Sequence, residues 1–153
     1  MPCEVSIERD TGSLRIGDIG RLTSGQSKAD VLVQLEPFVR GERDHRNGYV
    51  WLRLDGLTFG GRPAFLALCF HNDRLTEVGW SAKLPGVADG WPNRKEIDEE
   101  VAFVRKTLVT QIGFKTSRSA MKFRWGEVWS SYDPRGGQAS NGLRYARKFA
   151  YPW

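Results

Sequence analysis

Residues 49–82, YVWLRLDGLTFGGRPAFLALCFHNDRLTEVGWSA, contain three apolar, β-rich runs separated by two short polar breaks. The breaks are turn chemistry: the glycines of T-F-G-G accept positive φ at no steric cost, and Asn72 and Asp73 of H-N-D tolerate it. Three strands joined this tightly form an antiparallel meander. Alternation then assigns faces, because successive side chains of a strand point to opposite sides. In the first run Val50, Leu52 and Leu54 share one face, and Tyr49, Trp51, Arg53 and Asp55 share the other. The middle run, Ala64 to Phe70, is apolar at every position, which predicts a central strand covered on both faces.

Outward from the meander, CEVSIERDTGSLRIGDI reads as a hairpin around D-T-G. Ser27 and Asp30 then form an S-x-x-D helix start, followed by Val31, Leu32, Leu35 and Phe38 at helical spacing, and Pro37 stops or bends the last turn. The polar run GERDHRNG reads as a connection, and KLPGVADGWPN as a loop. A second helix is expected from about Asn93 to Ile112. Asn93 and Glu96 form its N-x-x-E cap, Ile97, Val101, Val104, Leu108 and Ile112 its apolar stripe, and Gly113 its C-terminal cap. A last hairpin and a basic, aromatic tail, RKFAYPW, follow. The order ββ-α-βββ-α-ββ predicts a single α+β domain over residues 1–153: a two-layer sandwich with an antiparallel sheet and two helices on one of its faces. The other face stays open, and aromatics on an open face mark a place to look for function.

At 153 residues the chain is long enough to bury a core without disulfides or metal. No apolar run approaches the length of a membrane span, and the start MPCEVSIERDTGS lacks the apolar segment of a secretory signal, so a cytoplasmic location is expected. Cys3 and Cys69 fit no zinc spacing. Two free thiols are the simpler reading and a disulfide the alternative. The net charge of +5 is unevenly placed. Lys115, Arg118, Lys122, Arg124, Arg135, Arg144, Arg147 and Lys148 face only Glu127 and Asp133 in the last part of the chain. Such asymmetry suits contact with nucleic acid or with an acidic or neutral protein, and it equally suits a solvated face.

Catalytic readings find little support. Cys69, His71 and Asp73 lie at a strand end, where a core cysteine and a turn histidine explain them. The spaced His and Cys ligands of a zinc site are missing, and no cofactor motif is present. Glu96, Asp98, Glu99 and Glu100 are accounted for by the dipole of the helix they open. Gly60-Gly61 and Gly136-Gly137 lack the surroundings of a phosphate loop and read as turns.

The stretch FRWGEVWSSYDPRGGQASNGLRYA, residues 123–146, reads as a hairpin about D-P-R-G-G. Period-two counting puts Phe123, Trp125, Glu127, Trp129 and Ser131 on one face, together with Ala139, Asn141, Leu143 and Tyr145. Glu127 thus falls between two tryptophans. Either it is a core acid satisfied by an arginine such as Arg53, or its face is the open one. In the second case Tyr49, Trp51, Arg53, Arg124, Trp125, Glu127, Trp129, Tyr132, Arg135 and Arg144 make a partner-binding surface, since Trp, Tyr and Arg dominate interface energetics.

Leu22, Gly25, Ser27, Val31 and Leu35, with the strand from Asp73 to Val78, resemble the small α+β domains of the β-lactamase inhibitor protein and of the small lipoprotein of the outer-membrane assembly machinery. The resemblance covers about a third of the chain and implies a domain that binds another protein with the open face of its sheet. In size and in lacking a catalytic constellation the chain is also similar to small bacterial immunity proteins. The expected function is therefore a non-catalytic binding module, an immunity-type inhibitor of a toxin or secreted effector enzyme. The alternative is a single-stranded nucleic-acid binder in which Trp125, Trp129 and Tyr132 stack on bases and Arg124, Arg135, Arg144 and Arg147 contact phosphates.

Overall fold

The computed structural model describes residues 3–86 and 91–151. The expected loop over 83–93 and the aromatic tail lie partly outside these residues. Both long helices start where their caps predict. Ser27 Oγ accepts from Asp30 N at the head of α1 (Lys28–Leu35), and a reciprocal capping box joins Asn93 and Glu96 at the head of α2 (Arg94–Ile112). Gly113, at φ 71°, ends α2 in the left-handed conformation that glycine adopts without steric penalty. All five stripe residues of α2 are buried. Each such side chain contributes about 1.5–3 kcal/mol of transfer free energy, so packing of this stripe outweighs helix propensity.

The strands are β1 (Cys3–Ile7), β2 (Leu14–Ile16), β3 (Gly20–Leu22), β4 (Val39–Asp44), β5 (Tyr49–Phe59), β6 (Arg62–His71), β7 (Arg74–Ala82), β8 (Ala120–Phe123), β9 (Gly126–Asp133) and β10 (Gln138–Tyr145). A four-residue helix, α3 (Arg147–Ala150), follows them. Ten strands form one sheet in the order β3-β2-β1-β5-β6-β7-β10-β9-β8, with β4 alongside β5. The meander β5-β6-β7 and the hairpin β9-β10 are as expected.

Three features differ from the expected layout. The sheet is mixed, because β1 runs parallel to β5 through Cys3–Leu57 and Glu4–Thr58. Glu4 locks this junction by accepting from Thr58 Oγ1 and from the amides of Gly60 and Gly61. Residues 39–44, expected to lead into a polar connection, form β4, an edge strand with only charged or small side chains after Val39. A further strand, β8, precedes the last hairpin and joins β9 through the two-residue turn Arg124–Trp125.

A bulge at Asp55–Gly56 interrupts the pairing of β5 with β6 between Leu54 and Leu57. One extra residue resets the alternation, so Leu52 and Leu54 are followed inward by Leu57 and Phe59. A second bulge, at Thr76 of β7 opposite Cys69 and Phe70, lets Leu75 and Val78 both point inward. Most buried apolar side chains form one cluster, to which α1, α2, β1, β2 and the inner face of β5–β7, β9 and β10 contribute. No described helix is long and apolar enough to cross a membrane.

Candidate functional site

Pairing partners in a sheet point to the same side, so the register alone builds the outer face. One row runs Arg43, Trp51, Cys69, Glu77, Arg144, Glu127, Lys122. The next runs Gly41, Arg53, Ala67, Gly79, Gly142, Trp129, Ala120. The one described helix that borders these rows is the short α3, at the end of the first row, where Arg147 and Ala150 line a hollow with Trp51, Cys69, Glu77 and Arg144. The first alternates in charge across its last four members, and the second has a floor of small residues between Arg53 and Trp129.

This placement resolves the position of Glu127. It lies on the open face, flanked across the strands by Arg144 and Lys122. Arg53 is not its partner, for β5 and β9 are separated by three intervening strands, roughly 19 Å at the usual spacing. Nor does Glu127 sit between two tryptophans. Trp125 belongs to the β8–β9 turn and folds into the core at 1% exposure, where Nε1 donates to Arg9 O at 2.7 Å and the ring stacks on Phe123. The odd residues of β9 share their face with the even residues of β10, because Asp133 pairs with Gln138. Asn141, Leu143 and Tyr145 therefore face inward, opposite to the side that period-two counting gave them. A four-residue connection, 134–137, breaks the parity that such counting carries through the turn.

Of the other expected site residues, Tyr49, Trp51, Arg53, Trp129 and Arg144 lie together on the open face. Tyr132 faces α2, with the guanidinium of Arg94 3.8 Å above its ring. Arg124 and Arg135 occupy turns at opposite ends of β9. The middle strand β6 is covered on both sides only toward its end: Cys69 is 4% exposed, but Phe65, on the same open face beside Ser81, is 49% exposed.

Two hollows divide this face. The first, about 530 Å3, has Ala67, Gly79 and Ser81 for a floor and Arg53, Phe65 and Asp133 at its border. The second, about 540 Å3, lies at the other end of the strands among Tyr49, Trp51, His71, Arg144, Arg147 and Tyr151. The ridge beside them is Trp129, whose ring crosses Gly142 and whose Nε1 donates to Ser140 Oγ at 3.0 Å. Arg144 Nε donates to Glu77 Oε1 at 2.9 Å, and its guanidinium also lies over the Trp129 ring at 5.4 Å. In the second hollow Tyr49 stacks on His71 at 4.3 Å, and His71 Nδ1 is hydrogen-bonded to Tyr151 OH. Desolvation raises the Tyr151 phenol above its ordinary pKa, and Arg147 and Arg74 oppose that shift.

Cys69 lies in the floor of the second hollow, 4% exposed. Burial raises its thiol pKa, a hydrogen bond with Thr76 opposes this, and the charge of Glu77 adds to it. A thiol held protonated is a poor nucleophile. Both cysteines are free. On the inner side, Glu100 departs from the role expected for it: its carboxylate accepts from Asn141 Nδ2 at 2.8 Å, while Asn141 also accepts from Ser130 Oγ. Burial pushes the Glu100 carboxyl up despite these bonds. Among the described residues no three His, Cys, Asp or Glu side chains form a group able to hold a metal ion.

Sequence reasoning missed Phe65, His71 and Tyr151 as parts of this face, and it named Arg147 only for the nucleic-acid alternative. Phe65 carried no signal, since every neighbour on its strand is also apolar. Tyr151 is brought to the hollow by the turn of α3, which four residues of RKFA do not announce.

No family model matches the chain, and no curated protein matches it. Among solved structures, a chain of "Rhs1-CT in complex with cognate immunity protein RhsI1" is similar in fold, with a TM-score of 0.55 at 12% identity. The alignment covers 96% of this chain and 89% of that one. At such identity the likeness is one of fold.

Proposed function

We propose that this chain is a non-catalytic inhibitor of immunity type, acting in the cytoplasm, which holds a toxin or secreted effector enzyme against the open face of its sheet. The observation that carries this reading is the uncovered face itself. Tyr49, Trp51, Phe65, Trp129, Arg53 and Arg144 converge there around two hollows, and these are the residue types from which binding hot spots are made. Likeness in fold to a chain from a toxin–immunity complex supports it. The resemblance noted around Leu22–Leu35 implies the same use of a sheet face. An acidic or neutral partner suits the surplus of basic residues.

The nucleic-acid alternative loses two of its three stacking residues, for Trp125 is in the core and Tyr132 lies beneath Arg94, leaving Trp129 alone on the open face. The test is affinity capture from the source cell with tagged protein. One stoichiometric protein partner is expected, lost on Trp129→Ala and on Glu127→Arg with thermal unfolding unchanged, and its toxicity is expected to be relieved by co-expression with the wild-type chain. Capture of RNA alone would overturn the reading.

A further inference from the structure

We propose that the hollow between Tyr49 and Tyr151 takes a carboxylate side chain of the bound protein, with Arg147 as its ion-pair partner. This rests on the protein-binding reading above and names what one end of the face recognises.

The hollow holds two guanidiniums and one carboxylate: Arg144, Arg147 and Glu77. Glu77 is committed to Arg144 at 2.9 Å, and Arg144 has Glu127 as its cross-strand neighbour on the other side. Arg144 is therefore neutralised by the protein itself. Arg147 differs. Its guanidinium lies over the Tyr151 ring at 5.2 Å, and among the described residues no carboxylate pairs with it. With no carboxylate bound to it among the described residues, its planar guanidinium keeps the N–H edge that matches two carboxylate oxygens. Tyr49, Trp51 and Tyr151 wall the space, so a partner covering the face would exclude water and strengthen the pair.

Charge selects a carboxylate over a phosphate. Among the residues that line the hollow, Arg147 is the guanidinium left to balance a monoanion, whereas Glu77 there and Glu127 beside it repel a second negative charge; Arg74, whose charge also reaches Tyr151, lies outside the lining. A nucleic-acid backbone needs a continuous basic track, and the row Glu77, Arg144, Glu127, Lys122 alternates in sign instead.

The first arm of the test uses the isolated protein, with arginine Nε–Hε and tryptophan indole resonances followed by NMR during titration with N-acetylglutamate α-methylamide, whose one charge is the side-chain carboxylate. Saturable shifts at Arg147 and Trp51 are expected. They should be absent with the neutral N-acetylglutamine α-methylamide, and the Trp51 response should be weakened at least tenfold in Arg147→Gln, with partial recovery in Arg147→Lys. An equal response to the glutamine amide, no saturable response, or tighter binding of inorganic phosphate overturns the proposal. In the second arm a photo-crosslinking amino acid is placed at position 147 or at position 65, in the other hollow, in the source cell. A position-147 adduct on a partner peptide at or next to an Asp or Glu supports the proposal. Protein adducts at 65 with no acidic residue at the 147 adduct overturn it and leave the protein-binding reading standing. No protein adduct at either position overturns both.

Discussion

Gly12 lies directly against the indole of Trp125: a Cβ at residue 12 would stand 2.3 Å from Trp125 Cε3. Gly12 also has φ 71°, and its carbonyl accepts from Tyr145 OH at 2.7 Å. The β1–β2 turn is thereby fastened to the β8–β9 turn through one aromatic ring. Gly12→Ala is expected to cost about 2–4 kcal/mol, combining the left-handed penalty with overpacking. Gly61→Ala, at φ 81° with nothing within 4 Å, isolates the first of these and should cost about 1–2 kcal/mol. Urea unfolding midpoints compare the two, and equal losses would refute the close contact.

Glu100 gives a pH dependence whose sign is fixed. Burial raises its folded pKa above the ordinary 4.5. The neutral acid is therefore the form the fold prefers, and its contribution is fully present below pH 4.5 and lost as pH rises through the raised value. Glu100→Gln keeps an acceptor for Asn141 and removes the titration. Wild type and variant should show parallel melting temperatures below pH 4.5, and the variant should gain on wild type toward neutrality. A constant difference across the range would show that Glu100 is not the titrating group.

Much of the fold was legible because it is written in local chemistry. The cap of α2 at Asn93, its apolar stripe and its stop at Gly113 are all short-range signals, and the meander turns are as well. The parallel contact of β1 with β5 has no such signature, since it joins Cys3 and Glu4 to residues over fifty positions away. β4 was hidden by composition: V-R-G-E-R-D is an edge, and an edge has no apolar alternation to display. In the candidate site, Trp51, Arg53 and Trp129 were readable from period two within one strand. Trp125 was not, because the two-residue turn that folds it inward ends the alternation just before Gly126.

Cys69 provides a chemical readout of the same face. Its thiol is 4% exposed and its pKa is raised by burial, whereas Cys3 is half-buried. A disulfide-exchange reagent at pH 8 should modify Cys3 first and Cys69 at a rate set by local opening of the sheet. Cys69 reacting as fast as a free thiol would mean that the floor of the second hollow is not closed in solution.

The outer face predicts a pattern of partner affinity that core damage would not reproduce. Trp129 crosses Gly142 beside the two hollows, so Trp129→Ala should weaken binding by about 2 kcal/mol or more, as expected of an aromatic anchor. Lys122, at the edge of the row, is a rim charge, and Lys122→Ala should change affinity by less than about 1 kcal/mol while altering its salt dependence. Gly142→Ala is the sharper probe, because a Cβ there would meet Trp129 Cζ2 at 2.5 Å and the Val78 carbonyl at 2.8 Å. The indole must lift from the sheet and the β7–β10 pairing must give at Val78, which alters the ridge without removing any binding group. Binding measured by calorimetry, beside unfolding of each free variant, distinguishes the cases. Loss of affinity in Gly142→Ala beyond its loss of stability, with Lys122→Ala nearly silent, is the expected result. Equal effects at 122 and 129 would move the contact away from the centre of the face.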